Sequence, residues 1–500
     1  MKEPLEGEVP TLARASLDLS ITLDRKHKES LHTQLVQQLR QSITNGLLPA
    51  GVQLPSTRAF AVDLGLSRNV VIAAYDELFA EGYLEGRHGS GTYVRQDLPL
   101  HTRLLRPSPP PCPRWVRPPT LPAISAPSPD PHMIEFRLGT PTITPLSTRI
   151  WHEVWRKAIE HLPPNMCGSP NGDPRLRAAL ADYLGRARGI ACQAEDLIVT
   201  SGATQALDLL ARAILGPNDL VGFEEPGYPV ARHILAASGA RILPLPVDDD
   251  GMCVDQLSQG PLAPVLVHVT PSHQYPLTTR LSVTRRLALL DWAQTNDSLI
   301  IEDDYDSEFR FHAPPLPALA SLDTTGHVAY IGTFSKVLTP ALRIGYLLVP
   351  SPLREPVERL KRFSDYHTSW PTQQALAILL SEGHLDRHIR RMRHHYAHKR
   401  QVLKEVLAPI AHLAQLRGLD AGLHAYLELR ADLDAHRVAQ DAKARSILVS
   451  TIDTCYAGTP DRNGLLLGYG GLSAKDVVRG GQVLREVIEH LAGETRRNLG

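Results

Sequence analysis

Cysteine is scarce in this chain, with five in 500 residues, and Cys112, Cys167, Cys192, Cys253 and Cys455 are scattered without metal-ligand spacing. An odd, dispersed set makes no disulfide framework and fits a reducing compartment. An excess of charge of either sign is also missing, because 53 basic side chains meet 53 acidic ones. Global charge therefore announces no nucleic-acid partner, and any basic footprint must be local. No apolar run is long enough to span a bilayer, and the opening MKEPLEGEVP lacks the apolar core of a secretion signal. No internal repeat is visible. These absences lead to the expectation of a soluble, cytoplasmic protein without membrane contact, too long for one ordinary core and so divided into domains.

What is present begins with a small helical head. A polar tail of roughly twenty residues is expected to be disordered. SLHTQLVQQLRQSITNG then places Leu31, Leu35, Leu39 and Ile43 on one helix face, with Ser30 to cap its start and Gly46 its end. A second helix starts near Ser56 and closes at Gly65, and Ser67 caps a third, RNVVIAAYDELFAEG. YLEGRHGSGTYV follows as strand, glycine-rich turn and strand, which makes a two-stranded wing on a helix-turn-helix. Arg58 opens the second helix, Arg68 opens the third at its positive dipole end, and Arg87 with His88 sits on the wing turn. A third helix entering a major groove by its N-terminus would offer Arg68, Asn69 and Val70 to base edges. A protein-interaction module with solvated arginines fits the same residues.

From residue 98 to 132 the chain is dense in proline with interspersed arginines, a stiffened spacer of polyproline character rather than a core. The boundaries expected are therefore a head over 20–97, a linker over 98–132 and a large domain over 133–494.

In the large domain apolar strands alternate with helices, as in DLIVTSG, QALDLLARAIL, DLVGFEEP, APVLVHVTP and SLIIEDDY, which predicts an α/β domain with a mostly parallel sheet covered on both faces. After about Pro350, long helical stretches and the strands AYLELR and GLLLGYG suggest a smaller α+β subdomain. Lys336 in HVAYIGTFSKVLTPALRIGY stands at the mouth between two apolar strands, where α/β proteins bind ligands. Its amine can form a Schiff base with an aldehyde, and Thr333, Ser335 and Arg343 offer hydroxyls and a fixed positive charge for a phosphate, a combination that suggests pyridoxal phosphate. TSGATQ sets the amides of Gly202, Ala203 and Thr204 at a helix N-terminus, an anion site. Tyr228 follows a strand end, where its ring can lie against a flat cofactor. SLIIEDDY ends an apolar strand in three acids that want a cationic partner. A protonated pyridine nitrogen on Asp303 would be that partner, with Tyr305 on the ring oxygen. No histidine or cysteine accompanies these acids at metal spacing, so no metal is expected.

LPSTRAFAVDLGLSRNVVIAAYDELFAEGYLEGRHGSGTYV resembles the winged-helix head of GntR-type bacterial regulators. The ordered set TSGATQALDLLARAIL, EEPGYP, TPSHQYP, IIEDDYDSEF and YIGTFSKVLTPALRIGY resembles fold-type I aminotransferases. Joined in this order by a proline linker, the two look like a MocR-type regulator, and the resemblance covers nearly the whole chain. It implies contacts to double-stranded promoter DNA from Ser56, Thr57, Arg58, Ser67, Arg68, Asn69, Arg87 and Gly89. It also implies Lys336 as the aldimine lysine, Asp303 on the pyridine nitrogen, Tyr305 on the phenolic oxygen and Tyr228 against the ring. Ser201, Gly202, Ala203, Thr204, Thr333, Ser335 and Arg343 would then hold the phosphate. A homodimer is implied too.

Three departures from that pattern bear on function. Val70 stands where the head commonly has threonine. Tyr275 replaces the asparagine that catalytic aminotransferases use on the ring oxygen, and Leu277 and Thr278 replace a small residue and a glycine, so this loop should be shaped differently. No arginine occupies the strand or turn near the C-terminus where the family often clamps a carboxylate, Arg445 and Arg462 being the nearby alternatives. The resulting expectation is a transcriptional regulator whose aminotransferase-like domain senses pyridoxal phosphate, alone or with an amine or amino-acid effector, rather than an active aminotransferase with an accessory head. The basic stretch from Asp386, DRHIRRMRHHYAHKR, reads as a solvated helix face or as an auxiliary DNA or linker contact.

Overall fold

The computed structural model describes residues 21–25, 29–87, 89–97, 130, 132–160, 162–311 and 316–499. The expected disordered tail, His88 and nearly all of the proline-rich linker lie outside them. Contacts divide the chain into two units, within residues 1–118 and 119–500.

The smaller unit contains α1 (Leu31–Thr44), α2 (Thr57–Asp63), α3 (Arg68–Ala80) and a hairpin of β1 (Leu84–Arg87) and β2 (Gly91–Val94). Ser30 and Ser56 cap as expected, their hydroxyls accepting from the amides of Thr33 and Ala59 at 3.1 and 3.2 Å. Ser67 occupies the cap position of α3, but its side chain makes no capping hydrogen bond, which corrects that expectation. Leu35, Leu39 and Ile43 of α1 bury their stripe against Val71, Ala74 and Leu78 of α3, while Leu31 at the helix start is only partly covered. The phenol of Tyr75 donates to the Pro55 carbonyl at 2.9 Å and so ties α3 to the turn that launches α2.

In the larger unit, eight strands form one sheet: β3 (Leu197–Thr200), β4 (Leu220–Glu225), β5 (Arg241–Asp248), β6 (Gly251–Met252), β7 (Leu266–Val269), β8 (Leu299–Asp304), β9 (Val328–Thr333) and β10 (Gly345–Leu348). Their order is β3-β10-β9-β8-β7-β4-β5-β6. The centre, from β9 through β8, β7 and β4 to β5, is parallel as the apolar strand text predicts. β10 runs antiparallel to both β9 and β3, and short β6 runs antiparallel to β5, so the sheet is mixed. Three helices matter below: α4 (Pro174–Arg188), α5 (Ala203–Ile214), which begins two residues after β3, and the long α6 (His384–Leu407). The C-terminal part adds an antiparallel sheet of β11 (Ala414–Arg417), β12 (His424–Leu429), β13 (Ser450–Thr451) and β14 (Gly464–Gly468), in the order β11-β12-β14-β13.

β8 is apolar until it delivers Glu302, Asp303 and Asp304, all buried, to its C-terminal end. Burial of three carboxylates demands three separate answers. Glu302 accepts from the backbone amides of Leu319 and Ala320 at 3.1 and 2.9 Å. Asp304 accepts from the hydroxyls of Tyr330 and Ser307 at 2.6 and 2.8 Å and pairs with Arg188 at 2.6 Å, with both side chains almost wholly buried. Asp303 lies 3.5 Å from the imidazole of His268, whose ring stacks on Phe223. Truncating one partner of a buried pair strands the other charge, whereas replacing both with apolar groups costs far less. Arg188→Ala is therefore expected to lower unfolding stability by about 3–5 kcal/mol, and the double variant Arg188→Met with Asp304→Leu by clearly less. Chemical denaturation measures both.

Candidate functional site

The strand ends of the large sheet open onto a cavity of about 220 Å³. Nine of the residues singled out from sequence line it: Lys336, Asp303, Tyr305, Tyr228, Ala203, Thr204, Thr333, Ser335 and Arg343. Ser201 and Gly202 do not. The Ser201 hydroxyl turns away to the Asp365 carboxylate at 3.3 Å, and its carbonyl accepts from Arg343 at 3.0 Å. Gly202, at φ +93°, turns the chain from β3 into α5. A Cβ there would only touch the Arg343 guanidinium, at 3.4 Å from Nη2, so the positive φ rather than crowding calls for glycine. α5 thus aims its first N–H groups, which have no intrahelical partner, at the cavity beside Arg343. Thr333 and Ser335 hydroxyls lie 3.0 Å apart on the same wall. Helix terminus, arginine and two hydroxyls form a donor set suited to a phosphate.

Lys336 follows β9 and reaches back so that its amine donates to the Gly139 carbonyl at 2.8 Å. Gly139 has φ +65°, and a Cβ on it would sit 2.5 Å from the lysine nitrogen, so the missing side chain is what leaves the amine its place. Burial pushes the Lys336 amine below its ordinary value, against the opposing pull of Asp306 and Asp303. Asp303 presents a carboxylate on the same cavity. Tyr228 and Tyr275 meet edge to face at 5.2 Å, so the replacement at 275 stands in the cavity itself. The Tyr305 phenol is 3.0 Å from His273 Nδ1.

Two further features escape the sequence pattern. His273, Asp306 and His424 converge to within 4.8 Å of one another, with Asp306 and His424 on the cavity wall. Their positions are widely separated in the chain, so spacing held no signal. Burial, together with the neighbouring His273, pushes His424 well below the ordinary histidine value, leaving it neutral. Thr278 takes φ +68°, a conformation that favours glycine, and packs against Gly418.

The two arginines offered as carboxylate clamps do not reach the cavity, which corrects that expectation. Arg445 is exposed and faces Glu486 at 3.3 Å, and Arg462 donates to the Val247 carbonyl at 3.2 Å. Each was near the cavity only in sequence, on turns whose direction sheet packing sets. Arg343 is the one arginine among the described residues on this wall. The basic helix α6 is not simply solvated, since Leu385, Ile389, Met392, Tyr396 and Leu403 bury one face of it.

On the smaller unit, Ser56, Arg58, Ser67, Arg68, Asn69, Arg87 and Gly89 are exposed and Thr57 is half-buried. Arg68 Nε approaches the Thr57 hydroxyl at 3.5 Å, which brings the starts of α2 and α3 together. Arg87 pairs with Glu85 at 3.0 Å and lies over the Tyr93 ring at 4.5 Å. Gly89, at φ +73°, lets the wing turn tightly.

Comparison with known proteins matches residues 146–463 to the aminotransferase class I and II family and residues 31–94 to the gntR family of bacterial regulatory proteins. The chain is 37% identical over 489 residues to a probable rhizopine catabolism regulatory protein MocR of Rhizobium meliloti, covering 94% of this chain and 96% of that protein. It is also 37% identical over 454 residues to the pyridoxine biosynthesis transcriptional regulator PdxR of Corynebacterium glutamicum, covering 91% and 95%. Among solved structures, kynurenine aminotransferase of Pyrococcus horikoshii is similar with a TM-score of 0.67 and 26% identity, over 72% of this chain and 91% of that one.

The lysine's surroundings set a measurable titration. Removing a negative neighbour destabilises the ammonium form, so Asp306→Asn should move the Lys336 amine further down than its already lowered value. The pH dependence of amine acylation at Lys336, followed by mass spectrometry, checks both the lowering and its direction of change.

Proposed function

We propose, from the premise that this chain belongs to the MocR-type branch of the GntR transcriptional regulators, that its aminotransferase-like domain is a sensor built on bound pyridoxal phosphate. The observation that carries this reading is the convergence of Lys336, Asp303 and the donor set of Ala203, Thr204, Thr333, Ser335 and Arg343 on one cavity. The fit is supported by the bare Gly139, where a side chain would crowd Lys336, and by Gly202, whose positive φ turns the chain into α5 beside Arg343. Arg343, the two hydroxyls and the start of α5 hold the phosphate. Asp303, backed by His268, takes the pyridine nitrogen, Tyr228 lies against the ring and Tyr305 serves its oxygen. Bound there, the cofactor would supply an electrophilic aldehyde, with the Lys336 amine placed to hold it. Asp306 gives the cavity a second carboxylate for an ammonium group, which suits an amine or amino-acid effector.

Sensing is favoured over turnover by what the cavity lacks. Tyr275 occupies the place of the oxygen-binding asparagine, and neither Arg445 nor Arg462 reaches in to hold a carboxylate. The protein acts as a homodimer in this reading, and the exposed Leu162 and Met166, 92% and 77% accessible, are side chains a second copy would cover. The winged helix-turn-helix binds promoter DNA through Ser56, Thr57, Arg58, Ser67, Arg68, Asn69, Arg87 and Gly89, and the proline-rich segment over 98–132 tethers it to the sensor over 133–494.

Protein loaded with pyridoxal phosphate and dialysed should keep a visible absorption band that Lys336→Ala abolishes. A folded wild type without the band removes the cofactor reading. A suitable amine should shift that band and change DNA affinity, and DNA should change the amine's affinity by the same factor. Sustained transamination of common amino and keto acids should be negligible; robust turnover that survives deletion of residues 1–97 would make the chain an enzyme. In gel shifts Arg58→Ala and Arg68→Ala should each weaken promoter binding and, where they meet phosphate, lower the salt slope by about one.

A further inference from the structure

The larger unit holds a second cavity, of about 320 Å³, that the cofactor reading does not use. Its walls come from the end of α4, the segment after β8 and the basic face of α6, and five arginines line it: Arg186, Arg188, Arg310, Arg390 and Arg393. Two of these are answered by acids. Arg188 pairs with Asp304 at 2.6 Å, and Arg186 contacts Asp182 and lies 3.7 Å from Asp386. Arg310, Arg390 and Arg393 have no carboxylate within ion-pair distance among the described residues. Arg393 spends one donor on the backbone carbonyl of Glu308 at 2.5 Å. The Glu308 carboxyl is turned to the Tyr183 phenol at 3.0 Å, and burial beside Asp304 pushes it up to about 7, so its counter-charge is only partial at neutral pH. Burial, together with the neighbouring Arg188, brings Arg310 down to about 10 although Asp304 and Glu308 pull the other way.

Three guanidinium groups without an ion-pair partner around one recess favour a compact dianion, and their planar forks suit phosphate oxygens. A recess of this volume takes a single phosphate group of a small molecule rather than the phosphate row of a duplex, which protruding side chains reach from outside. We propose that this cavity is a regulatory anion site for the phosphate of a small phosphorylated metabolite, distinct from the cofactor cavity and coupled to it.

The coupling follows from the segment that separates the two cavities. Asp303, Tyr305 and Asp306 line the cofactor cavity, while Ser307, Glu308 and Arg310 line the arginine cavity. Asp304 stands between them, holding Ser307 and Arg188. Arg188 also donates to the Ser272 hydroxyl at 2.9 Å, next to His273, which pairs with Asp306. An anion that draws Arg310 inward therefore pulls on the residues that carry Asp303 and Asp306, and the basic helix α6, unexplained by solvation or core packing alone, acquires a ligand.

The test uses the full chain loaded with pyridoxal phosphate, at ionic strength held constant with chloride. Equilibrium dialysis with inorganic phosphate should find one further phosphate per chain. Arg310→Ala and Arg390→Ala, neither of which breaks a buried ion pair, should each weaken it about tenfold. Arg343→Ala, which damages the phosphate donors of the cofactor cavity, should leave this site filled, so that binding at the two places is told apart even if the cofactor reading fails. Phosphate should also shift the cofactor absorption band in the wild type and not in Arg310→Ala, a readout that rests on the cofactor reading while the dialysis does not. Phosphate binding that is absent, is matched by chloride, or is unchanged in both arginine variants overturns the proposal. Stronger binding of succinate than of phosphate overturns the phosphate assignment, and competition by a short duplex of unrelated sequence without phosphate binding would make the patch a DNA contact instead.

Discussion

Everything around the cavity at the strand ends depends on how a buried strand can end in three carboxylates. Glu302, Asp303 and Asp304 sit at the tip of an otherwise apolar β8, where a charge without a partner is prohibitively costly. Alternation along the strand sends their side chains to different sides, so one partner cannot serve all three. Glu302 takes two backbone amides, Asp304 takes an arginine and two hydroxyls, and Asp303 is left with an imidazole 3.5 Å away. Glu302 is answered within the fold, and Asp304 is answered at Oδ2, while its buried Oδ1 has no partner among the described residues. Asp303 faces an open cavity, which is the arrangement that leaves a carboxylate free to meet a cationic ring.

The same constraint explains why the cavity looks like that of an enzyme while lacking some of its parts. Residues that a buried charge or a close approach enforces are in place: Lys336 against the bare Gly139, Arg343 beside Gly202, Asp303 beside His268. Tyr275 fills space beside Tyr228 and Tyr305. Thr278 holds a left-handed backbone that costs about 1–2 kcal/mol over glycine. His273, Asp306 and His424 form a polar knot on the side of the cavity that faces the C-terminal sheet, since His424 opens β12.

Local patterns carried much of this protein in its sequence. Helices in the head start at Ser30 and Ser56 because a hydroxyl there satisfies a free amide, and turn at Gly46 and Gly65 because those positions need positive φ. The parallel strands of the large sheet were legible as apolar runs, and the ordered motifs placed Lys336, Asp303, Tyr228 and Arg343 on one cavity. The shared cavity was legible through the ordered motifs of the family resemblance, whereas the helix starts, turns and strands depend on neighbours a few residues away. Folding alone decided what depends on distant ones. Gly139 meets Lys336 across 197 residues. Ser201 turns from the cavity to Asp365, and β10 runs antiparallel within a parallel frame. The histidines that join Asp306, and the arginines of α4, the β8 segment and α6 that share one recess, come from stretches with no common period. Their meeting is fixed by which faces pack and which charges must find partners, and a one-dimensional pattern carries neither.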